Sequence, residues 1–486
     1  MKRRISAGLS AAELLRFVIG VILSVFVGGL DNTEAQTLTN LWSFTGGTDG
    51  SGPHSLVQGS DGNFYGTTGE GGNTNLNNGM GWGTVFRIAP TGTLTNLHSF
   101  SLSDGGLPNG LAQGSDSNFY GTTYLGTNAN LGFGTVFRMS PTGSVTVLWL
   151  FHLHAGDGDY PVAGLVQGND GNFYGTTRSG GTSMNCGGGC GIVFRINPSG
   201  TETNLHSFDG TDGSTPQQGV LLQGSDGNFY GVTPGGGTQN MGNVFRISSS
   251  GSLTNLYSFN YSDGESPEGG LVQGSDGNFY GTTVEGGASG YGTVFRITPN
   301  GTLTNLWSFT GGIDGGKPQA GLVQGSDGDF YGTATLGGAS INCLNGCGTV
   351  FRITPSGSLT NLWSFSGNDG SNPVAGLVQG SDGYFYGTTL YGGISDAGTV
   401  FRLSVPLNPP ANQISGVRVA GSDVAISIPS VAGETYQLQF TTDLTSGIWS
   451  NVPAVSVIHS IGALLTVTNF GGAVGSQGFY RFDITP

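Results

Sequence analysis

The chain has 486 residues, of which 93 are glycine and only 9% are charged. Its formal net charge is −15 and no basic stripe offsets it, which argues against nucleic acid and anionic membrane surfaces as partners. The glycines have no collagen period and recur at turn positions between apolar, aromatic and threonine-rich runs. This pattern favours an all-β fold with many tight turns over disorder.

Residues 1–35 are predicted to be a secretory signal peptide. Basic residues at positions 2–4 precede an apolar core (17–27) that is too short for a membrane span, and Ala35 ends a small-residue cleavage site. An uncleaved amino-terminal anchor is the alternative. With cleavage, the mature chain has no membrane span and is secreted or held at the cell surface.

Residues 36–403 contain seven copies of a unit of about fifty residues, a period that is typical of repeat architectures. Each copy contains Asp-Gly-x-x-Pro, then Phe-Tyr-Gly, then Val-Phe-Arg, and the first six copies continue with a segment like Thr302 to Phe309. The tyrosines of the Phe-Tyr-Gly cores are Tyr65, Tyr120, Tyr174, Tyr230, Tyr280, Tyr331 and Tyr386.

The repeat predicts four short antiparallel strands. Ser-Asp-Gly-Asn and Thr-Pro-x-Gly provide the turns, and a radial array of such units is a β-propeller. A lone fourth strand at Thr37 to Phe44 precedes the first complete unit, and the last unit has only three strands. We therefore expect seven blades, with the first strand completing the last blade; an open solenoid is the alternative.

The Asp-Gly-x-x-Pro, Leu-Val-Gln-Gly-Ser-Asp-Gly-Asn-Phe-Tyr-Gly-Thr-Thr and Gly-Thr-Val-Phe-Arg-Ile blocks resemble GloVer tandem repeats, which occur in exported choice-of-anchor bacterial proteins. They are also similar, more loosely, to NHL propeller repeats. The resemblance implies an exported repeat protein and no particular activity. The chain departs from that pattern by lacking an evident sorting anchor at its end.

The repeat pattern stops after Leu403. Residues 404–413 contain three prolines and are predicted to be a linker. Residues 414–486 contain several short alternating segments, which favour a small β-sandwich. The stretch from Glu434 to Trp449 resembles fibronectin type III-like modules of exported bacterial proteins.

The four cysteines form two Cys-x-x-x-Cys pairs, Cys186 with Cys190 and Cys343 with Cys347. Both pairs lie in loops that are longer than the equivalent loops of other copies. In an exported chain we expect two local disulfides. A four-thiolate zinc site is the alternative, and it would require the third and sixth copies to meet.

Two repeated side chains have competing interpretations. The repeat Arg is predicted to be a structural element of the blade, paired with an Asp such as Asp49 or Asp61, rather than a catalyst. The fourth-strand aromatic residues are either inter-blade packing, which we favour, or a stacking surface. They are Trp42, His98, Trp149, His206, Tyr257, Trp307 and Trp363.

The antiparallel strand order places the variable Tyr-to-Arg loops and the Asp-Gly-x-x-Pro loops on one face, which we call the loop face. Loops on a rigid scaffold are where binding usually occurs. The candidate ligand-binding residues there are Trp82, Tyr124, Phe133, Met241, Tyr291 and Tyr391, although they could simply cap the gaps between blades. The repeated loop aspartates are Asp49, Asp104, Asp157, Asp212, Asp263, Asp314 and Asp369.

No catalytic constellation stands out, because the chain has no nucleophile elbow, phosphate loop or metal-spaced histidines. We expect a monomeric, non-enzymatic exported protein that binds a carbohydrate or a protein at the cell surface through the loop face. The alternative is a polysaccharide lyase or hydrolase with its site on the same face. No cofactor is expected; calcium on the loop aspartates is the alternative.

Overall fold

We describe the fold from a computed structural model of the chain. It describes residues 3–9, 36–127, 133–151, 156–217, 219–405, 416–420, 423–429, 435–441, 450–452, 458–459, 464–469 and 478–485. Most of the predicted signal peptide, from residue 10 to residue 35, and most of the predicted linker lie outside the described residues. The chain divides into two units, and the larger one comprises Ala35–Gly325 and Asp329–Val405.

The larger unit is a seven-bladed β-propeller, as predicted. Each blade is a four-stranded antiparallel sheet whose strands we call a to d, from the centre outwards. The a strands are Ser51–Gln58, Gly106–Gln113, Val166–Gln167, Leu222–Gln223, Val272–Gln273, Val323–Gln324 and Val378–Gln379. The b strands are Phe64–Glu70, Phe119–Leu125, Phe173–Thr177, Phe229–Thr233, Phe279–Thr283, Phe330–Ala334 and Phe385–Thr389.

The outer strands continue each sheet in the same order. The c strands are Thr84–Ile88, Thr135–Met139, Ile192–Ile196, Asn243–Ile247, Thr293–Ile297, Thr349–Ile353 and Thr399–Ser404. The d strands are Leu94–Ser99, Val145–Leu150, Glu202–Ser207, Leu253–Ser258, Leu303–Ser308, Leu359–Ser364 and, for blade 7, Thr37–Ser43. Blade 3 also has a small ladder of Gly158–Asp159 with Ser179–Gly180, and Asn77–Gly79 is a single 3-10 turn.

The ring is closed by the amino-terminal strand, which confirms the prediction from the strand count. Thr37–Ser43 pairs antiparallel with strand c of blade 7, from Thr37 opposite Ser404 to Ser43 opposite Thr399. The blade therefore has its strands from the two ends of the repeat region, and its c strand is not left as an open edge.

A stacked ring pair joins every two neighbouring blades. The Phe-Tyr-Gly tyrosine of one blade stacks on the phenylalanine of the next, with ring centroids 3.9 to 4.1 Å apart. The pairs are Tyr65–Phe119, Tyr120–Phe173, Tyr174–Phe229, Tyr230–Phe279, Tyr280–Phe330, Tyr331–Phe385 and Tyr386–Phe64. Because each pair combines large buried area with a specific ring geometry, one two-residue motif defines all seven seams.

Both cysteine pairs are local disulfides, as predicted, and the zinc alternative is excluded. Each disulfide lies in a b–c loop that is hydrogen-bonded to the following d–a loop. The Asn185 amide donates to the Asp209 carbonyl at 2.8 Å, and the Asn342 amide donates to the Ser366 carbonyl at 2.9 Å.

The second unit contains the carboxy-terminal strands in two antiparallel sheets. One sheet comprises Gly416–Ala420, Asp423–Pro429 and Leu464–Asn469; the other comprises Arg3–Leu9, Gly478–Thr485, Thr435–Thr441, Ser450–Asn451 and Ile458–His459. Ile426 and Phe482 are fully buried. The sandwich architecture of this region stays a prediction. Among the described residues, no helix is long and apolar enough to cross a membrane.

Candidate functional site on the loop face

A central channel runs between the a strands of all seven blades and has a volume of about 510 Å³. Its wall needs glycine where neighbouring strands meet. A Cβ on Gly321 would lie 2.5 Å from the carbonyl oxygen of Gly270. The a strands therefore approach each other closely enough that the channel is bounded largely by backbone.

The residue that follows the proline of Asp-Gly-x-x-Pro varies between blades and lies at the channel. In chain order these residues are His54, Asn109, Val162, Gln217, Glu268, Gln319 and Val374. All except Glu268 line the channel directly, and Glu268 precedes the lining residue Gly269. Burial lowers the pKa of His54 to about 4, so its imidazole is neutral at pH 7.

A second cavity of about 340 Å³ opens at the loop face, and we call it the mouth pocket. Its lining residues are Ser51, Gly52, His54, Gly69, Glu70, Leu107, Asn109, Tyr124, Leu390 and Tyr391. It shares His54 and Asn109 with the channel, so the two cavities have a common wall. Tyr124 is half-buried and Tyr391 is 49% exposed. The structure thus brings together two of the six predicted aromatic or apolar candidates, although they are far apart in the sequence.

A charged cluster that the sequence reasoning missed lies beside the channel. Lys317 Nζ is 2.8 Å from Glu285 Oε1. Burial raises the pKa of Glu268 and the Glu285 charge raises it further, whereas Arg178 and Lys317 act in the opposite direction. Arg178 also lines the channel itself. These four residues come from blades 3, 5 and 6, so the ring assembles charges that the sequence keeps apart.

The other four predicted candidates lie at the blade seams. Trp82, Phe133, Met241 and Tyr291 each precede the glycine before strand c, and their carbonyls accept hydrogen bonds of 2.6 to 3.1 Å from the next blade. The donor is always the N–H of the residue before the proline of Asp-Gly-x-x-Pro. The first three side chains are half-buried in hydrophobic clusters, whereas Tyr291 is 39% exposed. The structure does not bring these four into the mouth pocket.

The loop aspartates are engaged by the fourth-strand aromatic residues in six of the seven blades. Donor–acceptor distances are 2.7 to 3.2 Å. The pairs are Trp42–Asp49, His98–Asp104, His206–Asp212, Tyr257–Asp263, Trp307–Asp314 and Trp363–Asp369. In blade 3, Asp157 accepts from the Gly158 N–H instead, and Trp149 Nε1 is buried without a described partner. Among the described residues, no three His, Cys, Asp or Glu side chains are grouped so that they could hold a metal ion.

The repeat Arg belongs to the blade interior, on the side of the Ser-Asp-Gly turns. Each lies directly opposite the Phe-Tyr-Gly tyrosine in the b–c ladder, as Arg87 lies opposite Tyr65. In blade 6, Arg352 Nε lies 3.7 Å from Oδ2 of Asp329, which occupies the position of Asn63 in blade 1. In blades 4 and 5, burial acts to raise the pKa of Asp226 and Asp276, the equivalents of Asp61, but hydrogen bonds and the charge of the repeat Arg lower it. Of the two partners considered from the sequence, the Asp61 type is therefore the one that lies near the repeat Arg in those blades.

The fold and the mouth pocket define a repeat-built β-propeller with a central channel and an aromatic opening on its loop face. The profile of the Gloeobacter/Verrucomicrobia repeat matches residues 29–224 and 217–415. The chain therefore belongs to this repeat family, which confirms the resemblance to GloVer repeats.

Several solved structures are similar to the chain at low identity. A candidate 6-phosphogluconolactonase from Bacteroides uniformis is 14% identical with a TM-score of 0.45, over 84% of this chain and 100% of that one. A candidate glucose dehydrogenase-type oxidoreductase from Thermus thermophilus is 16% identical with a TM-score of 0.40, over 76% and 100%. A luciferin-regenerating enzyme is 12% identical with a TM-score of 0.40, over 77% and 100%. No curated protein matches the chain. These similarities carry no conclusion about activity.

A sequence signal for the charged cluster does exist. Apart from the seven repeat Arg, residues 36–403 contain two basic residues, Arg178 and Lys317. Both depart from the repeat pattern, and both lie near Glu268 at the channel. A comparison of the copies for isolated charges would have found them.

Proposed function

We propose that this protein is exported and binds a glycan in the mouth pocket of its propeller, without cleaving it. The observation that carries the proposal is the pairing of Tyr124 and Tyr391 around a 340 Å³ cavity that also contains Glu70 and Asn109. Tyrosine rings stack on the apolar faces of sugar rings, while carboxylate and amide groups bind hydroxyls. This combination of side chains matches the chemistry of a saccharide better than that of an apolar ligand.

Contacts around the mouth pocket hold the Tyr124 ring and the Tyr391 backbone in position. The Tyr160 ring stacks on Tyr124 at 4.8 Å and meets Phe133 edge to face at 5.2 Å. The Tyr391 backbone pairs with Ser371 through two hydrogen bonds of 2.9 and 3.1 Å. Because the Tyr124 ring and the Tyr391 backbone are positioned before a ligand arrives, less ordering entropy opposes binding.

A polysaccharide hydrolase or lyase is the second candidate. The specific observation in its favour is Glu268, whose pKa is raised by burial and by Glu285, as for a carboxyl group that serves as a general acid. Its position next to Gly269 of the channel wall would place the reaction at the channel, on the blade 5 side, and not in the mouth pocket. Any binding assay should therefore also measure cleavage.

The export and the accessory features belong to the same proposal. The basic and apolar amino-terminal segment and the two disulfides support a secreted or cell-surface location. We also propose that the chain is monomeric and that the carboxy-terminal region is a fibronectin type III-like sandwich. A calcium ion on the loop aspartates would compete with their present hydrogen-bond donors, so we expect binding to persist in a chelator.

The test is retention on a panel of immobilised plant, fungal and bacterial polysaccharides, with released oligosaccharides measured in parallel. The double variant Tyr124→Ala with Tyr391→Ala should lose more than tenfold in affinity, about 1.4 kcal/mol. Tyr291→Ala is the matched control, because Tyr291 is an exposed aromatic residue of the same face outside the pocket. Loss of binding in Tyr291→Ala but not in the double variant would place the site elsewhere, and release of oligosaccharides would favour the enzyme.

A further inference from the structure

Positive charge in the propeller is concentrated at one place besides the repeat Arg. Arg178 directly follows strand b of blade 3, and Lys317 precedes the proline of blade 6. The pKa of Glu268 is influenced by both. In a chain of net charge −15, two isolated cations at the same end of the channel call for a physical explanation.

The two cations differ in what they contact. Lys317 is paired with Glu285 at 2.8 Å, so its charge is already matched by a carboxylate. Arg178 is exposed at the channel and forms no ion pair with any carboxylate in the described part of the chain. Arg178 therefore has a guanidinium whose donors are open to a ligand.

Arg178 is connected to the mouth pocket indirectly, through Tyr160 and through the channel wall. Its backbone N–H donates to the Tyr160 carbonyl at 3.0 Å, and the Tyr160 ring stacks on Tyr124. Arg178 and Tyr124 also occupy equivalent positions in neighbouring blades, each directly after the residue that ends the Phe-Tyr-Gly-Thr-Thr block. The channel that Arg178 lines shares His54 and Asn109 with the mouth pocket, so a glycan chain that extends from Tyr124 into the channel would approach Arg178 on the blade 3 side.

A planar guanidinium is suited to one class of sugar substituent. It donates two parallel hydrogen bonds to a carboxylate, a geometry that the ammonium of a lysine does not reproduce. We infer that the ligand of the mouth pocket is an acidic glycan, built of uronic acids or other carboxylated sugars, whose carboxylate is bound by Arg178. This inference rests on the proposed function, and it names the class of glycan.

The negative net charge of the protein should suppress non-specific binding of acidic polymers. The chain as a whole repels polyanions, so recognition of an acidic polymer has to come from a local contact and not from long-range attraction. Non-specific retention of acidic polymers is therefore suppressed, and the contribution of one arginine should be visible against a low background.

The experiment compares polygalacturonate with its carboxyl-reduced counterpart, which has the same backbone and no charge. We expect the unmodified protein to bind polygalacturonate at least tenfold more tightly than the reduced polymer. Arg178→Gln should abolish this preference, and Arg178→Lys should restore it only in part. Arg418→Gln, which makes the same change of charge in the carboxy-terminal region, is the control and should keep the preference.

The outcomes separate this inference from the proposed function. Equal binding of the two polymers by the unmodified protein, or an unchanged preference in a folded Arg178→Gln variant, overturns the acidic-glycan inference and leaves glycan binding in place. Loss of both polymers in the Tyr124 and Tyr391 double variant supports the pocket itself. If no polymer of the panel is retained, the proposed function and the inference both fail.

Discussion

At the scale of single residues, turn aspartates such as Asp116 restrain the tyrosines of the Phe-Tyr-Gly cores. The Tyr120 hydroxyl donates to Asp116 at 2.8 Å, and burial together with this bond raises the pKa of Tyr120 to about 12. Burial also acts to raise the pKa of Asp116, but hydrogen bonds from Asn118 and Tyr120 outweigh it and the pKa is lowered. The turn at Asp116 therefore fixes the Tyr120 ring, which stacks on Phe173 at the seam between blades 2 and 3.

Glu202 departs most clearly from this pattern of paired polar side chains. It begins strand d of blade 3, where the other blades have Leu or Val, and its Oε1 is buried without a partner in the described structure. Burial, followed by the charge of Asp157, raises the pKa of Glu202 to about 7. The folded state therefore binds a proton that the unfolded chain releases above about pH 4.5.

We predict that Glu202 makes the propeller less stable as pH rises from about 4.5 to 7. Its charged form is penalised in the fold, so Glu202→Leu should raise the free energy of unfolding at pH 8 by about 1–2 kcal/mol. The gain should shrink at pH 4, where Glu202 of the unmodified chain is mostly protonated in both the folded and the unfolded state. Denaturant unfolding at the two pH values measures this; an equal effect at both would show that packing, not charge, is responsible.

At the scale of elements, the Asp-Gly-x-x-Pro loops combine local strain with a bond across the seam. The residue before the proline has a positive φ in every blade, between 51° and 55° in the six that are not glycine. Such backbone costs about 1–3 kcal/mol and needs support from its surroundings. Here its N–H donates to the preceding blade. Tyr160 and Lys317 both occupy this position, so the strain lies next to the candidate site.

The stapled loops lead to a different expectation. Each disulfide closes a five-residue ring, for which the entropy of the unfolded chain predicts a stabilisation of about 2 kcal/mol at most. We expect Cys343→Ser with Cys347→Ser to keep the propeller folded and to lower the free energy of unfolding by no more than this. Hydrogen exchange should then increase at the Gly346 amide and remain low in strand c. Global unfolding of the variant would contradict a local role.

At the scale of the whole molecule, the propeller depends on a contact between the ends of its repeat region. Blade 7 and blade 1 meet through the Tyr386–Phe64 stack, the Thr388 hydroxyl bond to the His54 carbonyl, and the Ser381 amide bond to Gln58. The same contacts occur at internal seams. The seam between blades 7 and 1 therefore has the same kinds of contact as the internal seams, provided that Thr37–Ser43 completes blade 7.

We therefore predict that deleting residues 36–44 destabilises the propeller by more than any single substitution considered above. The deletion exposes strand c of blade 7 as an edge and removes Phe44, which is fully buried. The melting temperature should fall and oligomers should appear in size-exclusion chromatography. A variant that carries the same segment after Ser404, joined by a Thr-Pro-Asn-Gly turn, should recover both. A stable, monomeric deletion variant would contradict this account of closure.

Much of the fold could be predicted from the sequence because its signals are local and repeated. The Asp-Gly turns and the short apolar alternations indicated the strands of each blade. The lone first strand and the three-stranded last unit indicated seven blades and the pairing of Thr37–Ser43 with the last of them. The disulfides were predictable for the same reason, since each pair is four residues apart in one loop.

The candidate site was only partly predictable, because a pocket depends on which blades become neighbours of the channel and how far each side chain reaches. The sequence by itself determined the loop face and placed six candidates on it. Only the tertiary structure decided that Tyr124 and Tyr391 share a cavity while Trp82 and Met241 pack at seams. Arg178 and Glu268 lie in different blades and repeat nowhere, so their electrostatic coupling arises only when the blades are arranged around the channel.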